Sequence, residues 1–137
     1  MKYQSYTFRD TVKLGKQFGE TLIGGEVILL SGPLGSGKTA FTKGIAQGLG
    51  IGENVTSPSF TIMNEYEGEI SLYHFDFYRI EDPAEMEELL EDYIYRKEGV
   101  SVIEWGERME DRMNDYILIR FEIFDTYRVI IIKRRKV

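Results

Sequence analysis

The stretch that decides the fold covers residues 26–39 and reads EVILLSGPLGSGKT. Residues 27–30 are continuously apolar, which is typical of a strand buried on both faces of a parallel sheet. Residues 32–39 match G-x-x-x-x-G-K-[ST] at every fixed position. In the order strand, loop and helix, this pattern marks a phosphate-binding loop, and that context argues against a chance match. The stretch therefore predicts a nucleoside-triphosphate site at the end of a central strand.

The residue types in this loop suit phosphate chemistry. Glycines allow the backbone to form a concave nest whose N–H groups point at phosphate oxygens, and the N-terminus of the following helix adds positive potential. Lys38 is expected to place its charge against the β- and γ-phosphates, and the Thr39 hydroxyl is suited to ligate Mg²⁺. Further nucleotide contacts are assigned to Leu34, Gly35, Ser36, Gly37 and Ala40.

Composition limits the possible classes of protein. The 137 residues suffice for one compact domain, so we expect a single domain over 1–137. The net charge of −6 argues against broad, unaided binding of nucleic acid. The chain has no cysteine, which removes disulfides and thiol catalysis and fits a reducing cytoplasm. No apolar run approaches a membrane span and the N-terminus lacks a signal peptide, so a cytoplasmic protein without membrane contact is expected.

Hydrophobic spacing predicts the remaining elements. A helix is expected to start at Thr7, with Asp10 as capping partner, and to stop at Gly24-Gly25. Further helices are expected over 38–49 and 83–92, and a short helix or loop over 106–113. Strands are expected over 3–8, 61–66, 70–78, 100–103, 116–124 and 127–133. The pattern predicts an α/β fold, a single P-loop NTPase-type domain with a mainly parallel central sheet and flanking antiparallel hairpins.

Two acidic residues follow apolar strands and are candidate partners of the loop. Asp76 follows LYHF at 72–75, and Glu104 follows VSVI at 100–103. Ligand sites of open α/β sheets lie at the carboxyl ends of strands, so both acids are candidates to face the loop. The alternative for each is a strand-end acid satisfied by a turn. The pattern leaves open which acid holds the metal and which serves the attacking water.

Other residues have weaker sequence support. The hydroxyl-rich segment 56–61 is either a nucleotide-sensing loop or an ordinary loop. His74, the only histidine, is interpreted as packed rather than catalytic. Trp105 is either a core anchor or a functional aromatic, and Tyr78-Arg79 offers a phosphate-facing cation or an exposed pair. The guanine-reading [NT]KxD motif is absent from the sequence, which favours ATP.

Four segments taken together resemble a known family. They are GPLGSGKT at 32–39, NVTSPSFTIMNEY at 54–66, YHFDFYRIEDPAEMEEL at 73–89 and IEW at 103–105. The chain resembles the TsaE family, the bacterial ATPases of tRNA threonylcarbamoyladenosine biosynthesis. The resemblance implies ATP and Mg²⁺ as cofactors and slow hydrolysis by the isolated protein. It also implies two partners, TsaD and TsaB, which modify adenosine 37 of tRNAs that read ANN codons.

The resemblance also implies roles for individual residues. Lys38 would bind phosphates and Thr39 magnesium, with Glu104 as the metal-associated acid and Asp76 as a second essential carboxylate. The remaining matches are Ser57, Pro58 and Thr61 in the nucleotide-sensing loop, Trp105 near the site, and Thr7, Phe8, Tyr127 and Arg128 around the adenine. Pro33, Ser36 and Ser59 depart from the residues most common in the family.

Two other functions remain open at this point. A small-molecule kinase would use a similar loop but also needs an acceptor pocket and a lid, and no arginine-rich lid is obvious. A nucleotide-gated binding module would bind partners with little catalysis. We expect a monomer or weak oligomer, with tRNA contact either indirect or through the basic residues 133–136.

Overall fold

The computed structural model describes residues 1–58 and 61–136. Ser59, Phe60 and Val137 lie outside the described residues, so the predicted hydroxyl-rich loop is described only on either side of them. The strands are β1 (Lys2–Ser5), β2 (Val27–Ser31), β3 (Met63–Tyr66), β4 (Ser71–Asp76), β5 (Gly99–Glu104), β6 (Tyr116–Ile123) and β7 (Arg128–Arg135). The helices are α1 (Phe8–Gly19), α2 (Lys38–Gly48), α3 (Pro83–Leu90) and a 3-10 helix (Glu107–Arg112).

Within the described ranges, seven strands form one sheet in the order β1-β7-β6-β2-β5-β4-β3. The four central strands β6, β2, β5 and β4 run parallel, which places the carboxyl ends of β2, β4 and β5 at the same edge. Antiparallel pairing of β3 with β4, and of β6 with β7, confirms the two predicted flanking hairpins. The mixed α/β fold with a parallel centre is therefore confirmed.

The sheet has a hydrophobic core on each face. The alternation of side chains along β2 sends Ile28 and Leu30 to one face and Val27 and Leu29 to the other, so all four are buried, as their continuous apolar run predicts. The first core packs against apolar residues of α1 and α2, and the second against those of α3 and the 3-10 helix. Both faces of the central strand are thus closed to water.

Helices α1 and α2 approach each other through glycines. A Cβ placed on Gly15 would lie 2.2 Å from the carbonyl oxygen of Phe41, and one on Gly44 would lie 2.1 Å from the carbonyl oxygen of Val12. Only residues without a side chain allow backbones to pack at this distance. Because α2 begins directly after the glycine-rich loop, this contact holds the N-terminus of α1 beside the loop.

The structure corrects the predicted ends of the first strand and helix. The strand predicted over 3–8 ends at Ser5, since Thr7 is the N-cap of α1 and accepts a hydrogen bond from the Asp10 amide. The helix ends at Gly19, with Glu20 as its cap, and not at Gly24-Gly25. Those two glycines have φ of +104° and +92° and instead form the turn that leads into β2.

Other elements are shorter or shifted by a few residues. The strand predicted over 70–78 ends at Asp76, because its carboxylate accepts a hydrogen bond from the Tyr78 amide at 2.9 Å and turns the chain. The strand predicted over 61–66 begins at Met63, and the helix predicted over 83–92 ends at Leu90. Asp82 caps that helix through the Ala84 amide, as its sequence predicts.

Candidate functional site

The glycine-rich loop adopts the backbone that its sequence predicts. Gly35 and Gly37 have φ of +77° and +112°, in the left-handed region that favours glycine. Gly37 is also the N-cap of α2, so the first amides of this helix follow directly from the loop. No atom lies within 4 Å of a Cβ built on Gly35, which leaves space for a ligand against the loop. The arrangement is a nest of amides at a helix N-terminus, a geometry that binds anions.

Lys38, the first residue of α2, has its ammonium group inside this site. Its Nζ donates a hydrogen bond to the carbonyl oxygen of Gly32 at 2.7 Å and lies 3.8 Å from the centre of the Trp105 ring. The residue is only 4% exposed. Burial lowers the pKa of Lys38, while the nearby carboxylates of Glu104, Glu107 and Asp76 act in the opposite direction. The site therefore holds a cation that is poorly solvated and available to an anionic ligand.

Asp76 and Glu104 lie side by side at the ends of β4 and β5. The two residues are register partners in the parallel pair of strands. Glu104 is 4% exposed and its Oε2 is 2.5 Å from Nε2 of His74, whereas Asp76 is half-buried. Both carboxylates line the same cleft as Lys38. The parallel topology thus brings together a loop and two strand ends that are far apart in sequence.

The cleft has a volume of about 510 Å³, which is in the range that accommodates a small-molecule ligand. Of the residues predicted for the site, those lining it are Phe8, Leu34, Gly35, Gly37, Lys38, Thr39, Ala40, Ser57, Pro58, Thr61, Asp76, Tyr78, Arg79, Glu104 and Trp105. A second cavity of about 280 Å³ shares Phe8 and part of the loop with the cleft. Its wall includes the other predicted residues Thr7, Ser36 and Arg128.

Tyr127 is the one predicted site residue that lines neither of these two cavities. Its ring stacks on Phe124 at a centroid distance of 5.0 Å and contacts Tyr6 at 5.8 Å. Tyr6 does line the smaller cavity, so Tyr127 contacts a residue of its wall.

The loop between α2 and β3 contacts the start of α2. The hydroxyls of Thr39 and Ser57 are 3.0 Å apart and share a hydrogen bond. Thr61 also lines the cleft, and its hydroxyl donates to Oδ1 of Asn64 at 3.3 Å. The hydroxyl that is predicted to ligate magnesium is therefore also in contact with this loop.

Trp105 forms part of the cleft wall and has an unusual backbone. Its φ is +61°, a backbone conformation that residues other than glycine rarely adopt. The ring contacts Tyr78 edge to face at 5.1 Å and packs on the Lys38 ammonium. Trp105 is half-buried, and it both packs against its neighbours and lines the cleft.

The donor set fits a magnesium ion that is held together with phosphates. In residues 1–58 and 61–136, no three His, Cys, Asp or Glu side chains form a cluster able to hold a metal by themselves. Mg²⁺ typically takes only one or two protein carboxylates and completes its shell with substrate phosphates and water. Thr39 and one of Asp76 and Glu104, which line the cleft beside the loop, would supply such a partial shell.

Sequence reasoning missed two features of the site. Ile62 lines the cleft, and nothing in its sequence context distinguishes it from a strand residue. The bond between His74 and Glu104 was also missed, since His74 was interpreted as a packed residue. The spacing of His74 and Asp76 puts both on one face of β4, but only the pairing of β4 with β5 brings Glu104 to them.

The basic residues 133–136 lie away from this cleft. They belong to the end of β7 and the residue that follows it, and this part of β7 pairs with the first residues of β6, such as Tyr116 with Arg135. Because β6 runs parallel to β2, that end of the sheet is opposite the glycine-rich loop. Any ligand of these residues would be separate from the cleft.

The sheet order, the glycine-rich loop after β2 and the acids at neighbouring strand ends define a P-loop NTPase-type domain. The profile of the family described as threonylcarbamoyl adenosine biosynthesis protein TsaE matches residues 5–134. The chain therefore belongs to the TsaE family of tRNA threonylcarbamoyladenosine biosynthesis.

Similar proteins from three bacteria support this assignment. The TsaE protein of Treponema pallidum is 40% identical over 116 residues, covering 85% of this chain and 86% of its own. That of Nostoc sp. is 48% identical over 111 residues, covering 78% and 68%. The crystal structure of Bacillus subtilis YdiB has a TM-score of 0.76 and 33% identity, covering 95% of this chain and 82% of its own.

None of the helices in the described part of the chain combines the length and the apolar character needed to cross a membrane.

Proposed function

We propose that this chain is a Mg²⁺-dependent ATPase that acts on a TsaB–TsaD complex in the threonylcarbamoylation of tRNA. One observation supports this proposal above all others: a single cleft is lined by the lysine and threonine of the loop and by the carboxylates of β4 and β5. These are the groups that hydrolysis of a nucleoside triphosphate requires.

The roles of the residues follow from their positions. The loop amides and Lys38 bind the β- and γ-phosphates, and the Thr39 hydroxyl and one carboxylate hold magnesium. Magnesium, when bound, neutralises charge on the β- and γ-phosphate oxygens. The other carboxylate, of Asp76 or Glu104, accepts a hydrogen bond from the attacking water. The water oxygen bonds to the γ-phosphorus as the bond to the β–γ bridging oxygen breaks, which yields ADP and inorganic phosphate.

The smaller cavity is suited to the base of the nucleotide. It shares Phe8 and part of the loop with the cleft and includes Thr7 and Arg128, and Tyr127 contacts Tyr6 of its wall. Aromatic and cationic side chains stack on bases without strong sequence selection. The absence of [NT]KxD from the sequence favours adenine over guanine.

Protein partners are supported by the rim of the cleft. Phe8, Leu34 and Tyr78 line the cleft and are exposed, so apolar surface surrounds the site. Contiguous exposed apolar surface marks sites of interaction with other proteins. A partner that covers this rim would exclude water and complete a site that is slow in the isolated, monomeric or weakly associated protein. The protein is proposed to act in the cytoplasm, with tRNA contacted indirectly or through residues 133–136.

Calorimetry with ATP and magnesium tests the nucleotide site. We expect the wild-type protein to bind ATP and Lys38→Ala to give no measurable heat, because the buried cation facing the phosphates is lost. Lys13→Ala, which removes an exposed lysine of α1, is the matched control and should bind as the wild type does. Unchanged ATP binding by Lys38→Ala would remove the assignment of the loop.

Phosphate release tests the carboxylates. Asp76→Ala and Glu104→Ala should impair hydrolysis more than ATP binding, because the two acids act on metal and water rather than on the bulk of the nucleotide. ATP binding without any phosphate release by the wild type would favour a nucleotide-gated binding module. Normal binding and hydrolysis in both variants would exclude both acids from the site.

A further inference from the structure

His74 is a buried titratable side chain that the proposed chemistry does not use. It is 0% exposed and is not among the residues that line the cleft. Its Nε2 is nevertheless 2.5 Å from Oε2 of Glu104, one of the two cleft carboxylates. The His74 ring therefore contacts the site through Glu104, which lines the cleft.

The contact follows from the pairing of β4 and β5. His74 is the register partner of Val102, and Glu104 is the register partner of Asp76. His74 thus reaches diagonally across the pair to a residue two positions further along β5, on the face that carries Val102 of the first core. His74 is 0% and Glu104 4% exposed, so the bond is shielded from bulk water.

The hydrogen bond fixes which ring nitrogen carries the proton. An ionised carboxylate only accepts hydrogen bonds, so Nε2–H donates to Oε2 of Glu104. In the neutral ring Nδ1 is then an acceptor, and it has no hydrogen-bond partner among the described residues. A buried polar atom without a partner is unfavourable, so packing alone does not favour histidine at this position. Compared with an apolar side chain, the histidine contributes a hydrogen bond to Glu104 at this position.

We propose that His74 is a positioning residue for Glu104. By holding Oε2, it restricts rotation of the carboxylate and directs Oε1 to the cleft, where magnesium or the attacking water is bound. The inference rests on the proposed function, since it concerns the geometry of a carboxylate in the nucleotide site. Groups that orient a metal-associated ligand in this way typically change metal affinity or activity by about 10- to 100-fold when removed.

Two variants of nearly equal shape separate this role from packing. His74→Gln keeps an N–H donor near the position of Nε2, whereas His74→Met fills the same space without a donor. The apparent magnesium affinity is measured by calorimetry of ATP binding at varied Mg²⁺, and phosphate release and thermal unfolding are measured in parallel. We expect His74→Met to lose about tenfold or more in apparent magnesium affinity or turnover. His74→Gln should stay within about threefold of the wild type, and ATP binding in EDTA should be the same in all three proteins.

Stability should not follow the same order. His74→Met leaves Oε2 of Glu104 without its donor, and His74→Gln leaves its own side-chain oxygen without a partner, so the two variants should have similar thermal stability. In a Glu104→Ala background the two variants should have equal magnesium dependence, since the group that His74 positions is gone.

The outcomes distinguish the inference from the proposal on which it rests. If the wild type binds and hydrolyses ATP and the two His74 variants have equal magnesium dependence and turnover, His74 contributes only packing. That result would overturn the inference about His74 and leave the proposed function standing. Loss of function in both variants that parallels loss of stability would also overturn it. A wild type that binds no ATP at all would overturn the proposed function and the inference together.

Discussion

At the scale of single residues, the buried charge of Lys38 favours an anionic ligand but lowers the stability of the fold. The residue is 4% exposed, and the ammonium group contacts a carbonyl oxygen and an aromatic face. Desolvation outweighs the attraction of Glu104 and lowers the pKa of Lys38. In the proposed function, bound phosphates would offset the free energy that is lost by burying this charge, so Lys38 is suited to an anionic ligand rather than to the stability of the fold.

The burial of the Lys38 charge predicts a stabilised variant with a defined pH dependence. Between the lowered folded pKa of Lys38 and its ordinary value of 10.5, the unfolded chain binds a proton that the folded chain does not, so stability rises with pH in this range. Below that range the full penalty of the charge applies. Lys38→Met should therefore be more stable than the wild type near neutral pH, with an advantage that decreases as the pH rises toward 10.5.

Denaturant unfolding of both proteins at several pH values measures this difference. Since the two chains share all other titrating groups, the difference in unfolding free energy isolates Lys38. An advantage that is absent at neutral pH, or that grows with pH, would contradict the proposed cost of burial.

At the scale of elements, the contact between α1 and α2 links the fold to the cleft. Gly15, Gly19, Gly44 and Gly48 all lie where an added Cβ would stand within 2.6 Å of a carbonyl oxygen of the facing helix. The contact sets the distance between the N-terminus of α1, which carries Thr7 and Phe8, and the loop that begins α2. The two parts of the proposed nucleotide site are therefore joined by backbone packing.

Gly44→Ala should disrupt this contact. Its Cβ would lie 2.1 Å from the carbonyl oxygen of Val12 and 2.8 Å from Cα of Gly15, and neither backbone atom can move without displacing a helix. We expect a loss of about 3 kcal/mol in the free energy of unfolding. Denaturant unfolding measures it, with Gly52→Ala as the control.

Gly52 is exposed, and no atom lies within 4 Å of a Cβ built there. The control should change stability by no more than about 0.5 kcal/mol. If the two substitutions lower the free energy of unfolding equally, the close approach of α1 and α2 is not the reason for glycine at position 44.

At the scale of the whole molecule, the cleft is open at an apolar rim and the basic residues 133–136 lie at the other end of the sheet. A protein that covers the rim would exclude water and contribute further groups to the transition state. One well-placed hydrogen-bond donor or cation is worth about 100-fold in rate. ATP turnover should therefore rise by about 100-fold when the TsaB–TsaD complex is added.

Phosphate release with and without the complex measures this activation. Lys38→Ala mixed with the same complex should release no phosphate, which controls for ATPase activity in the partners. Equal turnover with and without the complex would count against activation by completion of the site. Association that is the same in ATP and in ADP would argue that the nucleotide does not control it.

The sequence by itself determined the elements whose cause is local. The loop at 32–39 required glycine at positive φ and a helix after it, the run at 27–30 required burial on both faces, and Asp82 capped α3 as its spacing predicts. The family was also determined at this level, because its motifs are short and ordered along the chain.

Only the tertiary structure decided which of these residues meet. The ends of α1, β3 and β4 depended on turns and side-chain bonds that competed with periodicity. Register between parallel strands is set by packing across the whole sheet, so no local pattern could place Asp76 beside Glu104 or bring His74 to its carboxylate. The close approach of α1 and α2 likewise became visible only when both helices were in place, since a glycine in a helix carries no mark of what packs against it.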